Sequence, residues 1–165
     1  MSLFIFDKDG TLVKNMGLIG LGFHKPLTPE DQILKHGVFE KIAELRSQGH
    51  VIALASNLSA VAMGLITLGQ AETLMRNCAE KIGGCQAWKC CGYSPKGKRK
   101  INGMPNPYAQ DHPCRKPHPG MLLELMAELG FPPEDTYVIG NKKTDAEAAA
   151  SAGAHYIKAK DFFKN

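Results

Sequence analysis

Asp7 and Asp9 stand two apart directly after the apolar run Leu3–Phe6. While the backbone stays extended, residues at that spacing leave a strand on the same side, so both carboxylates face one small site. Like charges that close repel, and the pair therefore asks for a divalent cation or a shared proton. With hard oxygen ligands, Mg²⁺ is the cation expected. The plainer alternative is an acidic turn, because Asp-Gly, here Asp9-Gly10, turns well. Five cysteines form the second chemical signal. Without an export signal they argue against a disulfide framework and leave metal binding as the sharper alternative.

The elements that must position these groups alternate. Leu3–Phe6 suits a strand buried on both faces, and Phe39 to Gly49 places Phe39, Ile42, Ala43 and Leu45 near one helical face before a glycine stop. A strand over 50–55 follows, then helical material from Leu58 to Ile82 broken near Gly69, and a short strand over 86–90. The segment from Gly92 to Pro119 holds six prolines and reads as one long loop, functional or tied down by a metal. A helix over 121–129, a strand over 136–139, a helix over 145–152 ending at Gly153 and a strand over 155–159 complete the chain. This order predicts an α/β fold: a Rossmann-like three-layer α/β/α sandwich with a mostly parallel sheet, its ligands gathered beyond the carboxyl ends of the strands. Residues 1–165 are expected to form a single domain, with 92–119 as a loop insertion.

Composition is that of an ordinary globular protein and excludes a disordered or fibrous class. A formal charge of +4 favours anionic ligands without demonstrating nucleic-acid binding, and the dense basic run 96–100 reads as a solvated loop or a phosphate contact. The uncharged stretch 51–69 is interrupted by Ser56, Asn57, Ser59, Gly64 and Thr67 and reads as a strand and helix, not a membrane span. The start of the chain lacks a basic n-region, so the cytoplasm is the expected location.

Phe4-Ile5-Phe6-Asp7-Lys8-Asp9-Gly10-Thr11-Leu12 resembles the first motif of the haloacid dehalogenase (HAD) superfamily. The resemblance implies a phosphatase in which Asp7 attacks phosphorus and forms an aspartyl-phosphate. Asp9 then protonates the leaving group and activates water. Ser56-Asn57 matches the second motif, whose hydroxyl and neighbouring N–H groups hold phosphoryl oxygens, with Thr11 close by; alone it would read as a strand-to-helix cap. Arg115-Lys116-Pro117-His118-Pro119-Gly120-Met121 resembles the third, with Lys116 balancing the transferring phosphoryl charge and Arg115 beside it. Gly140-Asn141-Lys142-Lys143-Thr144-Asp145 stands at the fourth, with Lys142 a further substrate contact. There Asn141 replaces the usual metal-binding aspartate. Three readings follow for an Mg²⁺ site of Asp7, Asp9, Asn141 and Asp145: a weaker active site, Asp145 taking over the role, or an inactive protein that binds a phosphate ligand as a scaffold. An Asp-to-Asn change introduced to trap a ligand is a fourth.

Ser-Asn-Leu-Ser-Ala-Val-Ala-Met-Gly-Leu after the second strand, with the Arg-Lys-Pro-His-Pro-Gly-Met string, is similar to the capless branch containing heptose-bisphosphate and histidinol-phosphate phosphatases. That branch implies no large cap domain, a small phosphorylated metabolite as substrate and a structural zinc held before the lysine motif. The matching positions here are Cys91 and Tyr93, then His112 and Cys114. Tyr93 stands where the branch has histidine, so Cys90 or Cys85 would complete a tetrahedral set; Cys78 reads as core. Met63 replaces an arginine usual in the heptose enzymes, which removes one phosphate partner. Related DNA 3′-phosphatases share the aspartate and lysine motifs, so polynucleotide ends are the alternative substrate. Oligomeric state is not legible.

Overall fold

A computed structural model describes residues 1–15 and 25–164. Five strands form an all-parallel sheet in the order β3-β2-β1-β6-β7: β1 Leu3–Phe6, β2 Val51–Asn57, β3 Ala87–Cys91, β6 Thr136–Gly140 and β7 His155–Lys158. Helices α1 Val38–Ser47, α2 Leu68–Lys81, α3 Gly120–Leu129, α4 Lys143–Ala152 and α5 Ala159–Phe162 accompany it.

Period-two alternation in β1 divides the core. Leu3 and Ile5 join Ala53, Ala55, Val138 and residues of α3 and α4 in one cluster, while Phe4 and Phe6 join Ile52, Leu54 and residues of α1 and α2 in the other. Burying apolar residues on both faces is why β1 reads as an unbroken apolar run. Phe6 registers with Leu54 and with Ile139, so the chain leaves β1, β2 and β6 along one edge of the sheet. The three-layer architecture is the one expected.

Three local readings change. Residues 58–66 form turns rather than a helix; α2 starts only after Thr67, whose hydroxyl accepts from the Gln70 N–H while the Gln70 side chain accepts from the Thr67 N–H. The Pro-rich segment is not wholly irregular: Lys100–Ile101 (β4) pairs antiparallel with Met104–Pro105 (β5). Asn102 and Gly103 make that hairpin, with φ of 50° and 76°, the left-handed pair that a two-residue turn requires. The last strand stops at Lys158, where α5 begins. No helix among the described residues is long and apolar enough to cross a membrane.

Candidate active site

β1 ends at Asp7, whose N–H donates to the Ile139 carbonyl, and the chain then folds back on itself. The Lys8 carbonyl accepts from the N–H groups of Leu12 (2.9 Å) and Val13 (3.1 Å). Gly10 makes this possible with φ +83°, and a Cβ there would meet the Asn141 side chain at 2.4 Å. The turn buries Asp7, Asp9 and Thr11 at the carboxyl edge of the sheet.

Lys116 reaches this turn from the loop that precedes α3. Its Nζ donates to Asp7 Oδ1 at 3.0 Å, Asp145 Oδ1 at 2.6 Å and the Ala55 carbonyl at 2.8 Å, so all three ammonium protons have an acceptor. Asn57 holds the Lys116 backbone from both sides, accepting from its N–H (3.0 Å) and donating to its carbonyl (2.9 Å). Burial works against ionising Asp7, but the ammonium groups of Lys116 and Lys142 outweigh it and hold the carboxyl below the ordinary carboxylate range. Burial likewise opposes the charge on Lys116, and Asp7 and Asp145 more than offset it, raising that lysine. The two residues are thus held in the ionised forms that a nucleophile and an electrostatic partner need.

Asp145 belongs to the lysine more than to a metal. Beyond Lys116, its Oδ2 accepts from the N–H groups of Asn141 (3.1 Å) and Lys142 (3.0 Å) at the head of α4. It lies so close to β6 that a Cβ on Gly140 would sit 2.4 Å from Oδ2. Both oxygens are engaged within the protein, which weighs against Asp145 taking over the missing aspartate's role as a metal ligand. Asn141 stands nearer that role. Its Oδ1 faces the Thr11 hydroxyl at 3.3 Å, and the same hydroxyl lies 3.4 Å from Asp7 Oδ2.

Among the described residues three buried side-chain oxygens have no partner: Gln32 Oε1 beside α2 and, at this site, Asp9 Oδ2 and Ser56 Oγ. An unpartnered buried polar atom costs roughly 1–3 kcal/mol unless something binds it, and a bound substrate would supply partners to the two at this site. The residues fit Mg²⁺: Asp7 and Asn141 supply hard oxygens beside the Thr11 hydroxyl, the first of them anionic, while Asp9 has one oxygen taken by Lys8.

Other expected contacts are placed differently. The Asn57 side chain is consumed by Lys116, whereas the Ser56 hydroxyl has no partner among the described residues. Arg115 Nη1 donates to Ser59 Oγ (2.9 Å) and the Tyr93 carbonyl (3.0 Å), tying the 58–66 turns to the loop after β3. Two lysines that the sequence reading did not single out also belong here. Lys35 Nζ donates to the Gly10 carbonyl at 2.9 Å. Lys25 stands beside Lys142 near Asp9 and Asp7, and burial and the adjoining ammonium push it down to about 8. Nothing in a single sequence links position 25 to the turn at 7–11; only the fold brings it there.

The cysteine cluster is partly as expected. Cys91, His112 and Cys114 have ligand atoms within 4.8 Å of one another, and the Tyr93 ring stacks on His112 with centroids 4.2 Å apart. Cys90 is not with them. Alternation along β3 turns it into the α1/α2 core while Cys91 joins the α3/α4 side, so Cys90 lies on the wrong face to be the fourth ligand. Cys85 also lies with the α1/α2 core, and Cys78 is core as expected. The expectation of free thiols needs correcting too, since Cys91 and Cys114 are joined by a disulfide. Zinc binds thiolates, so the cluster in this state does not fit the ion.

The class that fold and site define is a Rossmann-like α/β fold with an aspartate pair, a lysine and a hydroxyl on the carboxyl edge of its parallel sheet. Residues 113–160 match the HAD-hydrolase-like family model. The chain is 31% identical over 120 residues to D-glycero-beta-D-manno-heptose-1,7-bisphosphate 7-phosphatase of Salmonella typhi, covering 70% of this chain and 61% of that protein. It is 29% identical over 150 residues to the Pasteurella multocida protein of the same name, covering 88% and 74%. The chain therefore spans about three fifths to three quarters of the length of these relatives. The crystal structure of D,D-heptose 1,7-bisphosphate phosphatase from B. bronchiseptica, complexed with magnesium and phosphate, superposes with a TM-score of 0.74 at 24% identity, covering 94% of this chain and 79% of that one. The family model over 113–160 and the curated relatives make the chain similar to HAD-hydrolase-like proteins, and the solved structure shares its fold.

Proposed function

We propose that the chain is an Mg²⁺-dependent phosphomonoesterase acting on a sugar phosphate or a similar small metabolite. The carrying observation is Lys116 Nζ bridging Asp7 and Asp145 beside the unpartnered Ser56 hydroxyl and Asp9 Oδ2. Asp7 attacks phosphorus and the ester oxygen leaves with a proton from Asp9. Asp9 then takes a proton from water as it attacks the aspartyl-phosphate, which returns Asp7 and releases phosphate. Ser56 holds a phosphoryl oxygen, Lys116, its protons already bonded, offsets the charge that develops there, and Lys142 and Lys25 add positive potential near Asp7. Mg²⁺ held by Asp7 and Asn141 would neutralise phosphoryl charge and fix its orientation.

The relatives' names support a sugar phosphate as substrate. Met63 at a position where those enzymes usually have arginine weighs against a bisphosphate. A phosphate-ester panel with Mg²⁺ tests the reading, and turnover is expected on sugar monophosphates. Turnover confined to 3′-phosphorylated oligonucleotides would move the substrate to nucleic-acid ends. The specific observation favouring that alternative is the exposed basic run 96–100 beside a groove of about 570 Å³ lined by Val61, Ile66, Ile101 and Tyr108.

Asn141 sets the metal affinity. Asn141→Asp is expected to lower the Mg²⁺ concentration giving half-maximal rate about tenfold, the equivalent of roughly 1.4 kcal/mol of added attraction. Absence of turnover in both proteins, with calorimetry showing phosphate-ester binding that Asp7→Asn leaves unchanged, would establish a binding scaffold instead.

The reduced cluster is proposed to take zinc through Cys91, His112 and Cys114, with a solvent molecule as fourth ligand. Metal analysis of protein purified under reducing conditions without chelator should find zinc, lost in Cys114→Ser. A metal-free reduced protein would rule zinc out and leave the disulfide as the loop's staple.

A further inference from the structure

The alternation that carries Asp7 toward Lys116 carries Lys8 the other way. Lys8 follows Phe4 and Phe6 in parity and enters the α1/α2 face fully buried, near the thiols of Cys78 and Cys90. An ammonium buried there without a counter-charge would cost several kcal/mol, so it must be paired. The thiols do not pair it: burial pushes Cys78 up to about 12 and Cys90 to about 11, which keeps both protonated and neutral. Its partner is Asp9, through Oδ1. The other oxygen of that carboxylate, Oδ2, is buried and unpartnered. The two oxygens are thereby made unequal: one fixed from beneath the sheet edge, the other left to the site.

We propose that Lys8 is a positioning residue for the proton transfers: by holding Asp9 Oδ1 it fixes the carboxyl group and leaves Oδ2 as the one oxygen that gives a proton to the leaving group and takes one from water. The inference rests on the reading of Asp9 as the general acid and base. It adds a role for the residue between the two motif aspartates, which acts through Asp9 and touches no substrate.

The test compares leaving groups. A sugar phosphate expels an alkoxide that needs the proton, whereas 4-nitrophenyl phosphate expels a stable phenolate that does not. kcat/KM reports the steps through phosphoryl transfer to Asp7, so it isolates the acid role from the later attack of water. Lys8→Met is expected to lower kcat/KM on the sugar phosphate by about 100-fold, the lower end of what a positioned acid contributes, and on 4-nitrophenyl phosphate by only a few fold. Lys8→Arg, which keeps the charge and the donor, should restore most of the sugar-phosphate rate. In an Asp9→Asn background Lys8→Met should add little further loss, the signature of two residues acting as one unit. Equal losses on both substrates, or losses that add in the double variant, would show a structural role only and overturn the proposal. An unchanged rate in Lys8→Met would overturn it as well. If Lys8→Met does not fold, Lys8→Gln, which keeps a neutral donor, should show the same selective loss on a smaller scale, and equal losses in it overturn the proposal. A wild-type protein that hydrolyses neither ester refutes the phosphatase reading and this role with it, an outcome distinct from every result in the variants.

Discussion

Asp7→Asn is expected to abolish turnover, lowering kcat by at least about 10⁴-fold, the scale on which loss of a covalent nucleophile acts. The amide keeps the size of the carboxyl group and still offers one oxygen to Lys116, so the fold has little reason to change. Lys116 retains Asp145 at 2.6 Å and the Ala55 carbonyl at 2.8 Å. What is lost is an ionised oxygen aimed at phosphorus. Steady-state assays with any ester that the wild-type protein turns over, alongside a thermal melt, check this. A variant that melts like wild type but retains a tenth of the rate would contradict the assignment of Asp7.

Lys116→Met should damage both stability and activity. The substitution removes the one ammonium bonded to Asp7 and Asp145 and strands two buried carboxylates, and breaking a buried pair from one side costs about 3–5 kcal/mol. Loss of the fixed cation from the transition state should lower kcat by a further factor of about 10²–10³. Denaturant melts and rates measured well below the melting temperature separate the two effects. The pH dependence has a definite sign on each side. Asp7 has its folded pKa depressed, so its stabilising contribution is present above the unfolded value of about 3.9 and is lost as pH falls through the folded value. Lys116 has its folded pKa raised, so its contribution is full below about 10.4 and is lost as pH rises through the folded value. The pair therefore stabilises the protein uniformly across neutral pH.

Much of this arrangement was legible in the residues. The apolar run Leu3–Phe6, the glycines after the first, third and fourth helices and the strand-helix alternation defined the sheet, because a buried parallel sheet writes itself as apolar runs separated by helix stops. The motif aspartates, Lys116 and Ser56 gather as their positions suggested, since strand ends deliver them to one edge. What escaped were matters of hydrogen-bond allocation. Asn57 and Asp145 carry chemistry-bearing side chains, yet each is spent on holding Lys116, and no spacing rule distinguishes a ligand from a brace. The Leu58–Ile66 turns were mistaken for helix because their apolar residues pack against the core without helical backbone. The hairpin at Asn102-Gly103 was hidden by the prolines around it, although that dipeptide is the strongest short turn signal in the segment. Cys90 was offered as a ligand by proximity in sequence, and strand alternation was the cue against it. The same cue marked Lys8, a charge at a core parity position.

The central claim is that Asp7 becomes covalently phosphorylated. Rapid acid quenching of the protein with Mg²⁺ and an isotopically labelled phosphate ester that it turns over, followed by peptide mapping, measures this directly. The account predicts label on the peptide containing Asp7, released by hydroxylamine as an acyl phosphate is, and absent from Asp7→Asn. Sustained turnover in wild-type protein with no label on Asp7 at any quench time, or label on another residue, would contradict it.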